Sequence, residues 1–357
     1  MSFEFKKYNE IENSYRTEFL NKIHELGHDN PMIEYVASVK VDGANFCVSI
    51  DENDKFHYSK RTMELERGDN FYSWESAMRR DNVPEKVKKI KELLPDVIEV
   101  NVYGELAGGK YNHPDVPKEK VSAVQARIQY APFVFFYAFD ISVVNKEGYR
   151  YYLDEDTFDK VCKEVNLIRS IVVKTGTLQE CLEYPNDFQD PVAQTLFGLP
   201  PIENNITEGV VIKPTTPIWL PNGSRLIIKN KNDKFKEKMS AKTGKKPKEP
   251  ERDLTDLENM TLRWLDEYKT ESRLYSVISK IGIVTTKDFG KIMGMFMKDL
   301  FEEFNKDYEK KIKELEETHT VEEFTFSRVT KKFQKQVQEW IRPVFIDIIS
   351  KEKYNVD

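Results

Sequence analysis

The spacing of apolar residues changes near residue 250, and this change restricts the architectures open to the chain. Before it, apolar residues alternate with polar ones over short segments, as in ANFCVSI at 44–50. After it, they recur every three to four residues, for example at Leu274, Val277 and Ile281. Alternation is typical of strands, and the longer spacing is typical of helices. We therefore predict an α+β N-terminal part followed by an all-α C-terminal part.

The N-terminal part combines strands with helices. The segment FVFFYAFDI at 133–141 is apolar on both faces, which predicts a central, buried strand. Within it Asp140 directly follows Phe139, so the two side chains should point to opposite faces. Helical spacing begins after Pro84 and again after Asp154, and both residue types are favoured at helix starts.

The length of the chain predicts two domains. At 357 residues it exceeds the size of one average domain. We predict a domain over 1–245, a basic linker over 246–252 and a helical domain over 253–357. The last helical stripe contains Pro343, which predicts a kink or a break at that point.

Lysines are concentrated where the two parts join. The whole chain has a net charge of −6, but residues 229–249 hold nine lysines against three acidic residues. A negatively charged protein is a poor general match for a polyanion, whereas a local basic segment suits one. The first half of this segment directly follows the apolar residues Leu226, Ile227 and Ile228. The second half is equally typical of a solvated linker.

The sequence excludes a membrane span and favours an intracellular protein. No run without Asp, Glu, Lys or Arg exceeds twelve residues, whereas a spanning helix needs roughly 18 apolar residues or more. The N-terminal residues include acids and lack the apolar segment of a signal peptide. Cys47, Cys162 and Cys181 are odd in number and widely spaced, which suits reduced thiols. We expect a cytoplasmic location, which for a phage- or virus-encoded protein would be the host cytoplasm.

The segment KVDG at 40–43 carries the strongest chemical signal. Lys40 lies between two valines and directly before an Asp-Gly turn. A free lysine amine has a pKa near 10.4, so a nucleophilic lysine needs partial burial or nearby cations to become neutral. Taken by itself, the segment is also explained by an exposed lysine at the end of a strand.

Five further segments follow this one along the chain. They are SKRT at 59–62, VYGELAGG at 102–109, FYAFDI at 136–141, EGVVIKP at 208–214 and IIKNKNDKF at 227–235. Together with KVDGANF at 40–46, they resemble the nucleotidyltransferase motifs of covalent ligases, and most closely those of the RNA ligase 2 family, which includes phage and kinetoplastid RNA-editing ligases. The resemblance implies an N-terminal nucleotidyltransferase domain with ATP-grasp-like antiparallel sheets and helices, followed by the all-α C-terminal domain.

The resemblance assigns the nucleotide site to side chains from these segments. Lys40 would attack the α-phosphorus of ATP, release pyrophosphate and form lysyl-AMP. Arg61 would contact a phosphate or the ribose with its planar guanidinium group, and Asn45 would hydrogen-bond the nucleotide or the RNA end. Glu105 would bind the ribose hydroxyls, and Phe139 would stack on adenine.

Three more charged residues complete the site that the resemblance implies. Glu208 would hold a Mg²⁺ or Mn²⁺ ion or its waters, and it is the predicted metal ligand. Lys229 and Lys231 are two residues apart in a strand, so both would project to one face and bind phosphate oxygens. The predicted catalytic residues are Lys40, Glu208, Lys229 and Lys231. The predicted ATP-binding residues are these four together with Asn45, Arg61, Glu105 and Phe139.

Several of these residues also have an ordinary structural explanation. Asn45 is a common turn residue. Arg61 fits a strand edge, Glu105 fits a solvated strand end, and Phe139 fits a strand core. Asp42 stands where phage-type members carry histidine, which leaves its role in 5′-phosphate recognition open. The segments 110–132 and 167–205 are longer than the shortest members need, and we expect them to affect substrate choice.

We predict an ATP-dependent, AMP-forming RNA ligase that joins a 3′-hydroxyl to a 5′-phosphate through lysyl-AMP and adenylated RNA and uses Mg²⁺ or Mn²⁺. The expected partners are RNA ends, above all nicks in duplex RNA and also RNA/DNA hybrids, and we expect a monomer. An ATP-dependent DNA ligase and an mRNA-capping guanylyltransferase are alternatives, although the helices after residue 250 argue against the β-barrel domain that both carry. A catalytically silent RNA-end-binding protein is a further alternative, which the full set of charged residues disfavours.

Overall fold

The computed structural model describes residues 3–236, 254–316 and 326–353. These residues divide into two units, one ending at Asn232 and the other beginning at Asp233. The predicted linker at 246–252 lies outside the described residues, so the domain boundary at residue 245 stays a prediction.

Within the described part of the first unit, eleven strands form two sheets. The strands are β1 Glu12–Asn13, β2 Tyr35–Val39, β3 Ala44–Ile50, β4 Phe56–Lys60, β5 Met63–Leu65, β6 Val97–Lys110, β7 Ala131–Asn145, β8 Arg150–Tyr152, β9 Val172–Gly176, β10 Gly209–Pro214 and β11 Ile228–Lys231. Five form a sheet in the order β1-β11-β10-β2-β9, and six form a sheet in the order β5-β4-β3-β6-β7-β8. The neighbouring strands are antiparallel, as predicted, except that β1 and β11 run parallel.

Helices accompany both sheets, which confirms the predicted α+β class. They are α1 Thr17–Glu25, α2 Trp74–Arg80, α3 Val83–Leu93, α4 Glu155–Glu164, α5 Leu178–Leu182 and α6 Val192–Phe197. Pro84 lies in the first turn of α3. Asp154 caps α4, because its carboxylate accepts a hydrogen bond from the backbone N–H of Thr157 at 2.7 Å. Both helices predicted from their start signals are therefore present.

The two faces of the six-stranded sheet have different surroundings. Its strand β7 contains the predicted buried strand and lies between β6 and β8. Phe46 of β3 packs on one face, with its ring centroid 5.8 Å from that of Trp74 in α2 and 5.9 Å from that of Phe136. Its neighbours Asn45 and Cys47 point to the opposite face because side chains alternate along a strand. That opposite face carries several of the predicted site residues.

The five-stranded sheet is also covered on one face. Ile23 of α1 and Leu178 of α5 pack with Ala37 and Ile212 of the sheet in one core cluster. A separate cluster joins the two sheets: Cys47 and Tyr103 come from the six-stranded sheet, Val211 and Ile227 come from β10 and the residue before β11, and Tyr8 comes from the N-terminal segment. The faces of the two sheets that lie opposite the helices therefore meet at this cluster.

The described part of the second unit is helical, which confirms the predicted all-α C-terminal domain. Its long helices are α7 Asp256–Asp266, α8 Glu271–Ile281, α9 Phe289–Glu316 and α10 Phe326–Lys353. Thr255 and Glu258 form a capping box at the start of α7. Leu274 and Phe333 belong to a single apolar core. The helix α10 continues through Pro343, so no break occurs there. None of the described helices is both long and apolar enough to cross a membrane.

Candidate active site

Backbone hydrogen bonds bring the ends of β2, β10 and β11 together. The N–H of Lys40, directly after β2, donates to the carbonyl of Gly209 at 2.9 Å. The N–H of Asn232, directly after β11, donates to the carbonyl of Glu208 at 2.8 Å. Gly209 has φ +136°, and a Cβ there would lie 2.1 Å from the carbonyl oxygen of Asn230. A glycine is therefore required where these strands approach each other.

Glu208 lies between two lysines at this point. One carboxylate oxygen accepts from Lys40 Nζ at 2.7 Å, and the other lies 3.0 Å from Lys231 Nζ. The side chain of Glu208 is 4% exposed and that of Lys40 is 19% exposed. Burial acts to raise the pKa of Glu208, but Lys40 and Lys231 outweigh it, so the pKa lies below its ordinary value. The predicted nucleophile is thus held by an ionised carboxylate and can still be reached from solvent.

Asn45 and Glu105 are direct neighbours across β3 and β6 and share one face of the sheet. Both are half-buried, as is Arg61 directly after β4. Loss of water around Glu105 raises the pKa of its carboxyl to about 8, and the positive charges of Lys40 and Arg61 oppose this increase. The structure therefore brings Arg61 and Lys40 into electrostatic range of Glu105.

Gly43 explains why the turn after Lys40 can lie against β6. A Cβ at Gly43 would lie 2.4 Å from the backbone oxygen of Leu106, which is the residue after Glu105. The Asp-Gly turn therefore needs its glycine because the backbone of β6 packs closely against it.

Phe139 lies in a β-bulge of β7. The pairing between β6 and β7 shifts at Tyr103–Gly104, so no residue of β6 pairs with Phe139. Tyr8 contacts both Phe139 and Asp140, with a centroid distance of 4.8 Å to the first ring and a hydroxyl oxygen 2.7 Å from the carboxylate of the second. The prediction that Phe139 and Asp140 point to opposite faces is wrong, because the bulge interrupts the alternation. Phe139 is half-buried in an apolar cluster, and this leaves part of its ring open.

A buried ionic cluster supports this part of the site. Asp140 is fully buried and accepts from Arg225 Nη1 at 2.6 Å, and Lys213 Nζ lies 3.7 Å away. Burial acts to raise the pKa of Asp140, but Lys213 and Arg225 outweigh it and keep the carboxyl ionised. Tyr8 and Arg225 were not among the predicted site residues, since both lie outside the six motifs. Asp140 could have been noticed as a charge inside an apolar strand.

Lys229 and Lys231 project to the same side of β11, as predicted. Lys231 pairs with Gly209 of β10 and Lys229 with Val211. Lys231 is buried beside Glu208, whereas Lys229 is half-buried one pair further along. The structure thus brings Lys231 to the carboxylate that also binds the predicted nucleophile, and it places Lys229 next to the apolar cluster that contains Phe139.

The acidic residues of the site have the chemistry that a magnesium ion requires. Among the described residues, no three His, Cys, Asp or Glu side chains form a metal-binding cluster. Mg²⁺ commonly keeps several waters and uses only one or two carboxylates together with substrate phosphates. Glu208 and Glu105 lie close enough to influence each other electrostatically. Their oxygen donors fit this open mode of binding.

Two family models match the chain. Residues 33–231 match the model for RNA ligase, and residues 252–344 match the model for the C-terminal domain of T4 RNA ligase 2. The first match covers more than half of the chain and includes all eight predicted site residues.

The chain is also similar to mitochondrial RNA-editing ligases of Trypanosoma brucei brucei. It is 30% identical to RNA-editing ligase 1 over 210 residues, which cover 50% of this chain and 44% of that protein. It is 27% identical to RNA-editing ligase 2 over 364 aligned positions, which cover 86% of this chain and 85% of that protein. The match thus spans less than half of ligase 1.

A solved structure of Naegleria gruberi RNA ligase with AMP and Mn has a TM-score of 0.40 and 16% identity, covering 64% of this chain and 56% of that chain.

The two family matches lie one after the other and account for most of the sequence. The chain therefore belongs to the RNA ligase family, and it is a member of the RNA ligase 2 type.

Proposed function

We propose that this chain is an ATP-dependent RNA ligase that joins a 3′-hydroxyl to a 5′-phosphate through lysyl-AMP and adenylated RNA. The observation that carries the proposal is the position of Glu208 between Lys40 and Lys231, at 2.7 Å and 3.0 Å. Once Lys40 has lost a proton, its amine can attack the α-phosphorus, and the fixed ammonium group of Lys231 can stabilise the negative charge that increases on the phosphate in the transition state.

The remaining side chains supply contacts for ATP. Lys229 and Lys231 lie on one side of β11, where their ammonium groups would bind the phosphates, and Arg61 adds a planar cation near Glu105. Glu105 and its neighbour Asn45 offer acceptors and a donor for the ribose and for the RNA end. The open part of the Phe139 ring provides a surface for adenine.

Glu208 is the proposed ligand for Mg²⁺ or Mn²⁺, with Glu105 as a nearby carboxylate. A bound ion would neutralise phosphate charge and orient the leaving pyrophosphate. The residues of this chain would then hold the nucleotide, orient the Lys40 amine and keep the reacting atoms partly shielded from water.

The proposed substrates are RNA ends, with nicks in duplex RNA and in RNA/DNA hybrids as the first candidates. The lysine-rich segment at 229–249 supports an RNA partner because ammonium groups bind the phosphate backbone. The related trypanosome proteins are RNA-editing ligases by name. We propose a monomer and a cytoplasmic location. The buried, free thiols of Cys47, Cys162 and Cys181 support a reducing compartment.

The test compares labelled forms of ATP. The chain should retain radioactivity from α-labelled ATP and not from γ-labelled ATP, since pyrophosphate leaves. Lys40→Ala should abolish the label because its nucleophile is gone. Lys146→Ala, which changes an exposed lysine with 64% side-chain exposure, should keep it.

The labelled protein is then mixed with nicked RNA, nicked DNA and nicked hybrid duplexes. Transfer of AMP to a 5′-phosphorylated RNA nick followed by sealing would support the proposal. Preferential sealing of nicked DNA would favour the DNA ligase alternative, and labelling by GTP would favour the capping enzyme. Binding of RNA ends without any lysyl-AMP would favour the silent RNA-end-binding protein.

A further inference from the structure

The connection between β6 and β7 reaches the turn that follows Lys40. It covers residues 111–130, all of which the structure describes, and they form neither a helix nor a strand. It carries Arg127, whose guanidinium group binds the Asp42 carboxylate through two parallel hydrogen bonds. Nε lies 2.9 Å from Oδ2, and Nη2 lies 2.8 Å from Oδ1. Such bidentate ion pairs fix the orientation of both side chains and also neutralise their charges. Irregular connections of this length are commonly functional.

The same connection is bonded to the backbone on both sides of the site. The N–H of Asp42 donates to the hydroxyl of Tyr130 at 2.8 Å. The side chain of Asn205, three residues before Glu208, makes two bonds to the backbone of Gln129, at 2.9 Å and 2.8 Å. Residues 127–130 therefore tie the turn after the nucleophile to the segment that leads into Glu208.

The charges around Asp42 explain why this carboxylate needs Arg127. Asp42 is 5% exposed, and burial raises the pKa of its carboxyl, an effect that Arg127 opposes. Glu208 adds a like charge and Lys40 an opposite one within electrostatic range. A buried carboxylate that lost its partner would be costly. It would also compete with Glu208 for the Lys40 ammonium group.

We propose that Arg127 is a positioning residue for adenylation. By holding Asp42, it fixes the Asp42–Gly43 turn and keeps Lys40 paired with Glu208. The inference deepens the proposed function and rests on it. Arg127 acts through Asp42 and does not itself react. The connection 111–130 lies within residues 110–132, the segment that is longer than the shortest family members need, and it thereby becomes part of the adenylation site.

The test uses the full-length protein and the rate of lysyl-AMP formation over a range of ATP concentrations. Arg127→Met keeps the aliphatic part of the side chain and removes the bidentate contact with Asp42. We expect its maximal rate to fall about ten- to hundred-fold, the usual effect of a misplaced reacting group, with little change in the ATP concentration for half-maximal rate. Arg127→Lys should recover only part of the rate, because an ammonium group is a point charge without the planar geometry. Arg79→Met, which removes an arginine with 70% side-chain exposure, is the matched control.

Two further measurements separate positioning from general stability. Guanidinium chloride at a low, non-denaturing concentration should restore part of the rate of Arg127→Ala and should not restore Asp42→Asn. The double variant Asp42→Asn/Arg127→Met should lose no more rate than the more damaged single variant, because residues that act as a unit are not additive. An arginine that acts independently of Asp42 would show neither behaviour.

The outcomes distinguish this inference from the function on which it rests. Absence of label on the unmodified chain would overturn both. Normal labelling of the unmodified chain with an equal rate for Arg127→Met would overturn the inference alone. Independent, additive losses at Asp42 and Arg127 without guanidinium rescue would also overturn it. If Arg127→Met fails to fold, the rate of Arg127→Lys and the guanidinium response of Arg127→Ala still decide the question.

Discussion

The hydroxyl oxygen of Tyr8 lies 2.7 Å from Oδ2 of Asp140, so the N-terminal segment is anchored next to Phe139. Asp140 is fully buried and also binds Arg225. A buried carboxylate is stable only when hydrogen bonds and opposite charges replace its water. The first residues of the described chain therefore support the proposed adenine site, although they lie far from its motifs in sequence.

Tyr8→Phe removes this hydrogen bond and keeps the aromatic ring. We expect the free energy of unfolding to fall by about 1–3 kcal/mol, the range for a hydrogen bond to a charged group and its unsatisfied partner. The ATP concentration for half-maximal adenylation should change little, since the ring still packs against Phe139. Urea denaturation measures the free energy of unfolding. Tyr149→Phe, at a tyrosine that is 71% exposed, is the control and should be neutral. Equal stability of the Tyr8 variant and the unmodified protein would contradict the prediction.

Lys231→Ala should slow lysyl-AMP formation by roughly two to three powers of ten, the usual loss when one transition-state charge stabiliser is removed. Single-turnover labelling with α-labelled ATP measures the rate. Lys146→Ala provides the surface control. A rate close to that of the unmodified protein would mean that Lys231 serves only to balance the charge of Glu208.

Glu105→Gln tests the electrostatics of the site through pH. The pKa of Glu105 is raised from 4.5 to about 8 in the folded protein. Between these values the folded protein keeps a proton that the unfolded chain has lost, so this group favours folding at acidic pH and its contribution is lost as pH rises through about 8. The Glu105→Gln variant lacks this pH-dependent contribution to the free energy of unfolding. Its free energy of unfolding relative to the unmodified protein should therefore increase between about pH 5 and about pH 8.

Urea denaturation at several pH values checks this prediction. Glu164→Gln changes an exposed carboxyl and is the matched control. The comparison must use differences between variant and unmodified protein, because the lowered pKa values of Glu208 and Asp140 have the opposite pH dependence. A constant difference across this range would show that Glu105 keeps an ordinary pKa.

A fragment of residues 1–245 should form lysyl-AMP but lose most sealing of 5′-phosphorylated nicks. The eight predicted site residues all lie in the first unit, which has its own apolar clusters. Sealing also requires RNA to be placed over the AMP, for which we predict a need for the helical domain. Sealing by the full-length protein should fall with salt, by a log–log slope of about −0.9 for each neutralised phosphate. Equal sealing by fragment and full-length protein at matched concentration would assign the helices to another task.

Local sequence signals predicted the parts of the fold that depend on neighbouring residues. Asp154 precedes a helical stripe and caps α4, and ANFCVSI alternates and forms β3. The ordered motifs placed Lys40, Glu208 and Lys231 in one predicted site because the family resemblance already contains the three-dimensional arrangement. The structure then supplied the contact geometry among them.

The contacts that were missed join residues far apart in the sequence. Tyr8 and Asp140 are 132 positions apart, and Asp42 and Arg127 are 85 positions apart. No local spacing specifies such pairs. The orientation of Phe139 also depends on the register between β6 and β7, which an alternation pattern cannot reveal when one strand contains a bulge.

The strand order also determines when the site can assemble during synthesis. The strands of the six-stranded sheet all come from residues 44–152, whereas the five-stranded sheet combines residues 12–13, 35–39, 172–176, 209–214 and 228–231. Chains leave the ribosome N-terminus first, so the six-stranded sheet can pair before the other sheet has received its strands. Glu208 follows Lys40 by 168 residues. A nascent chain should therefore expose the proposed nucleophile long before the proposed adenylation site is complete, and we expect no reaction with ATP until residue 231 has emerged.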